Sequence, residues 1–303
     1  MEENQTMVTE FILLGFCLGT RIHLVLFGLF SLCYTFTLLG NEVILGLICL
    51  ELRLHTPIYF FLDNLALVDI AYACNTVPQT LVNLLNPDKP ISFAGCIIQT
   101  YLFMALAVTE CLLLVVMSHD WYVAICYPLN YTVIMNWRVC AILAAASCIF
   151  SFLLALVHLV LILRLPFCGP HEINYFFCET LSVLKLACAD ITLNKIIIFT
   201  VSVFILVGPL CFVLVSYTRI QISILRIQSK GGSRKAFSTC SSHLCVLGLY
   251  FGSTIIMYVA PKSQHPKTEQ KIPFLFYSFF SPMLNPLIYS LIPPRSRVLS
   301  GGH

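Results

Sequence analysis

An all-α membrane protein, a bundle of seven transmembrane helices with its N-terminus outside and its C-terminus in the cytoplasm, is the fold class this sequence predicts. Three observations predict it. The chain is 59% hydrophobic and 10% charged, whereas a soluble domain carries roughly 25% charged residues. Its apolar residues come in long runs, and a membrane span needs about 20 of them. Its basic residues are densest in one segment between runs, which positive-inside bias assigns to the cytoplasm.

Seven runs stand out, at about 23–50, 57–85, 93–120, 139–163, 195–222, 236–260 and 272–292. Lengths of 21 to 29 residues suit tilted helices. Residues 1–22 hold Glu2, Glu3 and Glu10 and no basic stretch before a short apolar core, so they read as an extracellular segment. The first span then acts as its own insertion signal. The membrane domain is 23–292, with a long extracellular loop at 164–194 and a cytoplasmic loop at 219–235; residues 293–303 form a short tail. The 219–235 loop carries Arg219, Arg226, Lys230, Arg234 and Lys235 and no acid. Over the whole chain this topology puts nine basic residues inside and eight outside, so the orientation rests on that density. The same segment is suited to anionic lipid headgroups. Strand-like alternation, which a barrel requires, is absent. A channel or transporter is the rival class. It would call for repeats, polar stripes or half-helices, and none is evident by eye.

Most of the 15 cysteines lie inside spans, where a thiol is a small packing residue. Cys96, Cys168, Cys178 and Cys188 sit on the outer side instead, where disulfides persist, and four cysteines allow three pairings. Asn4-Gln5-Thr6 is an outer glycosylation sequon, while Asn130-Tyr131-Thr132 faces the cytoplasm on this topology. Glu42, Asp63, Asp69 and Glu110 lie within spans, with Asp120 at a boundary. Ionisable groups at that depth are costly and point to function. Enzyme motifs are missing: there is no His-Glu-x-x-His pair, nucleophile elbow or phosphate-binding loop. His119, His158 and His243 are scattered and read as packing or interface residues. His171 is a lone loop histidine and predicts no metal site.

Six segments then fall in a fixed order. They are Gly40-Asn41; Leu54-His55-Thr56-Pro57-Ile58-Tyr59-Phe60-Phe61-Leu62; Met117-Ser118-His119-Asp120-Trp121-Tyr122-Val123-Ala124-Ile125-Cys126; Ser216-Tyr217; Lys235-Ala236-Phe237-Ser238-Thr239-Cys240-Ser241-Ser242-His243-Leu244; and Pro282-Met283-Leu284-Asn285-Pro286-Leu287-Ile288-Tyr289-Ser290. Together they closely resemble mammalian olfactory receptors, which are rhodopsin-like G-protein-coupled receptors. The resemblance runs from about Asn4 to Leu291.

That resemblance implies a plasma-membrane receptor that binds a small volatile odorant and couples to a stimulatory G protein through cAMP. It implies the pairs Cys96–Cys178 and Cys168–Cys188 and a glycan on Asn4. By helical phase and family position, the odorant pocket is expected from Met104, Ala107, Val108, Ser202, Phe251, Ile255 and Tyr258. Asn41, Asp69, Glu110 and Asn285 are expected to form a polar network with Na⁺ in the inactive state, because two carboxylates in a low-dielectric bundle cannot both stay charged without a cation or a proton. The switch and G-protein groove fall to Asp120, Trp121, Tyr122, Tyr217, His243, Asn285, Pro286 and Tyr289. Pro209 and Pro286 permit kinks. No cofactor beyond that Na⁺ and no nucleic-acid partner is implied; the bilayer is the remaining partner.

Three departures stand against full function. Trp121 occupies the place of the family's arginine, with one N–H donor and no charge. Asp120 is expected to lose its neighbour and the groove its cation. Glu42 and Asp63 stand where the family has small, apolar or hydroxyl residues. The tail reads Ile292-Pro293-Pro294-Arg295-Ser296-Arg297-Val298-Leu299-Ser300-Gly301-Gly302-His303, in place of a basic amphipathic helix, and looks like an altered or truncated reading frame. The alternative within the family is therefore a signalling-defective, pseudogene-like receptor.

Overall fold

In chain order, six long helices dominate the architecture: α1 (Thr20–Leu50), α2 (Pro57–Leu85), α3 (Phe93–Cys126), α5 (Trp137–Leu163), α7 (Thr192–Leu225) and α8 (Lys230–Tyr258). Short helices α4 (Tyr131–Ile134) and α6 (Thr180–Leu184) lie between them, and a π-turn, Phe276–Phe280, leads into α9 (Ser281–Ser290). This computed structural model describes residues 9–15, 20–86, 90–168, 172–226, 230–258 and 276–290; the side chains at 20, 230–239, 257–258, 276–277 and 289–290 are outside that description. Asn4 and the 293–303 tail therefore lie outside the described residues.

Five of the helices are long and apolar enough to cross a membrane, namely Arg21–Leu50, Pro57–Leu85, Phe93–Cys126, Trp137–Leu163 and Thr192–Leu225. α8 carries a shorter apolar stretch, Cys240–Ile256. Local chemistry sets several boundaries. Pro57 opens α2, where its missing N–H costs nothing. Ser92 caps α3 by accepting from the Gly95 amide, and Asn136 caps α5 by accepting from Val139. α3 runs past the expected 120 to Cys126, so the whole Asp120–Cys126 motif is helical.

Beside an apolar core, large apolar side chains also face outward and several polar ones are buried. Leu24, Val25, Leu32 and Phe36 on α1, and Phe204, Leu214 and Val215 on α7, are exposed. Asn41, Asp69, Glu110, Asp120, His158, His243 and Asn285 are buried. An apolar exterior around a polar interior suits lipid as the solvent. The expected oddities separate here: Glu42 is exposed on α1, whereas Asp63 is half-buried.

The end of the bundle that carries the disulfides holds a feature that the sequence did not reveal. β1 (Glu10–Leu13) pairs antiparallel with β2 (Ile91–Ser92) and parallel with β3 (Glu172–Ile173), in the order β2-β1-β3. Phe11 and Leu13 of β1 are buried with Cys96, Ile97, Ile162, Ile173 and Cys178. Part of the 1–22 segment is thus a structural cap that ties the α2–α3 connection to the long loop. Cys96–Cys178 and Cys168–Cys188 are both formed, with Cα atoms 5.3 and 5.8 Å apart. Of the three possible pairings, this is the one that the resemblance implied.

Candidate functional site

Between α3, α5, α7 and α8 lies a cavity of about 590 Å³, counting its mouth. Cys178 pins the long loop to the top of α3, and Thr180, two residues on, joins the cavity wall. Gln99 fixes the same strand of loop, its Oε1 accepting from the Cys178 amide at 2.8 Å. Glu179 caps α6 by accepting from the Ser182 amide and hydroxyl at 3.2 and 3.1 Å. Burial nonetheless pushes the Glu179 carboxyl up from its usual range.

Met104, Ala107 and Val108 of α3 and Ser202 of α7 line this cavity, as do Phe103, His158, Tyr250 and Thr254. Tyr250 also ties α8 to α3, its hydroxyl donating to the Ala107 carbonyl at 2.8 Å. Phe251 and Ile255 are not on the wall. Phe251 is buried in the main apolar core, and Ile255 is half-buried. The inward face of α8 is set one residue earlier, and one residue turns a helix by about 100°. The side chain of Tyr258 lies outside the described residues.

Deeper in the bundle, Asn285 of α9 donates to Asp69 Oδ2 of α2 at 2.9 Å. Asp69 Oδ1 is buried with no hydrogen-bond partner among the described residues, and Glu110 is buried close enough to couple to Asp69 electrostatically. Two acceptor-rich carboxylates and an unsatisfied buried oxygen fit a hard cation or a proton. Asn41 enters differently from expectation. Its amide donates to the Thr37 and Pro282 carbonyls, at 2.9 and 3.2 Å, and so uses its two N–H groups on main chain. Its role is to lock α1 to the start of α9. Gly40 makes that approach possible: a Cβ there would stand 3.2 Å from Pro286.

At the end of the bundle away from the disulfides, Asp120 is fully buried and accepts from the Tyr131 hydroxyl of α4 at 2.6 Å. It has not been left without a neighbour, which corrects the sequence expectation. α4 is only four residues long, so no periodicity announced it. Trp121 is 4% exposed and packs in the apolar cluster that includes Met117, Tyr217, Ile220, Ile224 and Cys240. The indole is buried within that cluster, where no charge is tolerated without a partner. Tyr217 of α7 hydrogen-bonds to Nδ1 of the buried His243 on α8, joining the two helices. Tyr122 is half-buried and donates to the Tyr127 hydroxyl at 3.4 Å. Pro286 is buried within α9, and the Tyr289 side chain lies outside the described residues.

This arrangement defines a class first. The backbone matches the crystal structure of squid rhodopsin with a TM-score of 0.70, over 92% of this chain and 80% of that chain at 16% identity, so the fold is rhodopsin-like. A sequence profile of the family described as "Olfactory receptor" matches residues 30–296. The human olfactory receptor 2A1/2A42 is 70% identical over 96% of this chain and 94% of its own length. The human olfactory receptor 2A5 is 68% identical, and the mouse olfactory receptor 2A7 62% identical, over the same shares. The chain belongs to the olfactory receptor family. It is therefore a multi-pass plasma-membrane protein of an odorant-sensing, G-protein-coupled class rather than an enzyme, with a small-molecule ligand and a G protein as its partners.

Proposed function

We propose that this chain binds a small, largely apolar odorant in the cavity under the Cys178-pinned loop. The observation that carries the reading is the cavity wall, where Met104, Ala107, Val108 and Ser202 stand together as one mostly apolar surface. Apolar walls with a few placed polar groups are what small-ligand sites share. Seven spans, with 1–22 outside, 23–292 as the receptor domain and 293–303 in the cytoplasm, give the cavity an outward-facing mouth. A glycan on Asn4 belongs to the same outer face. Na⁺ at Asp69 and Glu110 would hold the inactive state, supported by the unsatisfied Asp69 Oδ1.

Output to a stimulatory G protein runs through the cytoplasmic ends of α3, α7 and α8. An odorant shifts the equilibrium between states only by its differential affinity for them. Trp121 supports a second reading, a binding-competent receptor with weak output. Its indole is buried where the family's arginine would offer charge to the G protein. The test is odorant-evoked cAMP in cells that display the chain, with a non-permeant antibody to an N-terminal epitope reporting surface arrival and orientation. Absence of the epitope from intact cells would refute the topology.

A further inference from the structure

His158 was expected to be a packing or interface residue; it is buried, and it also borders the cavity. It is 2% exposed, sits in the apolar helix α5, and lines the cavity. Its Nδ1 lies 2.9 Å from the Leu154 carbonyl, one turn earlier on the same helix. A carbonyl only accepts, so Nδ1 carries the proton in that contact. In a neutral imidazole this leaves a lone pair on Nε2. Nε2 is buried and has no hydrogen-bond partner among the described residues. A buried acceptor without a donor is costly, and native structures pair nearly all such atoms.

The other polar groups of the wall do not relieve it. The Tyr250 hydroxyl donates to Ala107, and the Thr254 hydroxyl donates to the Tyr250 carbonyl at 2.6 Å. Ser202 and Thr180 also line the wall, and neither is a hydrogen-bond partner of Nε2. A donor brought into the cavity, on whose wall His158 stands, would supply the missing partner. A hydrocarbon, an ether or a ketone has no donor to give; an alcohol or a phenol has one.

We propose that His158 Nε2 is the specificity-determining acceptor of the cavity, and that the preferred ligands are small apolar molecules bearing a single hydroxyl. The inference rests on the reading of this cavity as the odorant site. It does not depend on the cytoplasmic half, so its test reads binding and not signalling.

The experiment uses the purified full-length chain in lipid nanodiscs. Dissociation constants are measured for matched probes: straight-chain and phenolic alcohols, each beside its methyl ether. The native chain should bind each alcohol about tenfold more tightly than its ether, the order expected of one hydrogen bond in a dry site. His158→Phe and His158→Leu should abolish that preference, so that each alcohol and its ether bind alike. If the ethers bind the native chain as tightly as the alcohols, the inference is overturned and the cavity reading survives. That comparison needs no variant, so a misfolded His158→Phe does not protect the idea. If no probe binds, or if binding persists when Met104→Trp fills the cavity, the cavity reading falls and the inference falls with it.

Discussion

At its outer end the molecule is tied together by covalent and main-chain devices: two disulfides, a three-stranded sheet and the Gln99–Cys178 contact. At its cytoplasmic end the ties are single side-chain hydrogen bonds, Tyr131 to Asp120 and Tyr217 to His243, around a buried indole. The outer end can hold a cavity of fixed shape. The inner end is joined by contacts that can be exchanged one at a time, as a switch requires. The difference also shows where substitution is tolerated. The Trp121 indole is buried within the main apolar cluster, where the fold accommodates it.

The largest expected effect comes from breaking the outer end. Cys96→Ser removes the bridge between residues 82 apart in sequence. Loss of a native disulfide costs about 2–5 kcal/mol in small domains, so the variant should lose surface display and melt lower. Normal display would mean that the sheet alone secures the loop. Next is Tyr131→Phe at the inner end. It strips the hydroxyl from a fully buried carboxylate, and leaving such a group short of a donor costs about 1–3 kcal/mol. An unchanged melting temperature would show that Asp120 takes its stability from elsewhere.

Between the two ends, Asp69→Asn keeps a polar partner for Asn285 while removing the carboxylate. If Na⁺ binds there, a tenfold excess over its Kd stabilises the native chain by about 1.4 kcal/mol. The variant should show no response in a Na⁺ titration of the melting temperature, with choline as the control cation. The smallest effect is at Asp190, in the outer loop. The Thr192 hydroxyl and amide, at 2.6 and 2.9 Å, hold its carboxyl below the usual range. A depressed acid contributes stability above its unfolded pKa and loses it as pH falls through its folded value. Asp190→Asn should therefore melt slightly below the native chain at neutral pH and converge with it in acid; a gap that widens in acid would reverse the sign.

The helices were legible because apolar runs report directly on membrane spans. Pro57 marked the start of α2, and the run that ends at Leu85 coincides with its observed end. The cap was not legible: β1 has four residues, and its partners have two each, far away in sequence. Periodicity says nothing about such pairs. Met104, Ala107, Val108 and Ser202 were found on the cavity wall, while Phe251 and Ile255 missed it by one step of helical phase. His158 was readable as an ionisable residue inside a span, but the apolar helix around it gives no sign of a cavity. Tyr131 was seen only as part of a sequon, although its hydroxyl serves Asp120.

The central claim is that the outer half binds while the inner half signals poorly because of Trp121. The most direct measurement compares odorant-evoked cAMP from the native chain and from Trp121→Arg at matched surface display. The account predicts a weak or absent native response and a response raised severalfold by the substitution. Equal and robust responses from both chains would contradict it.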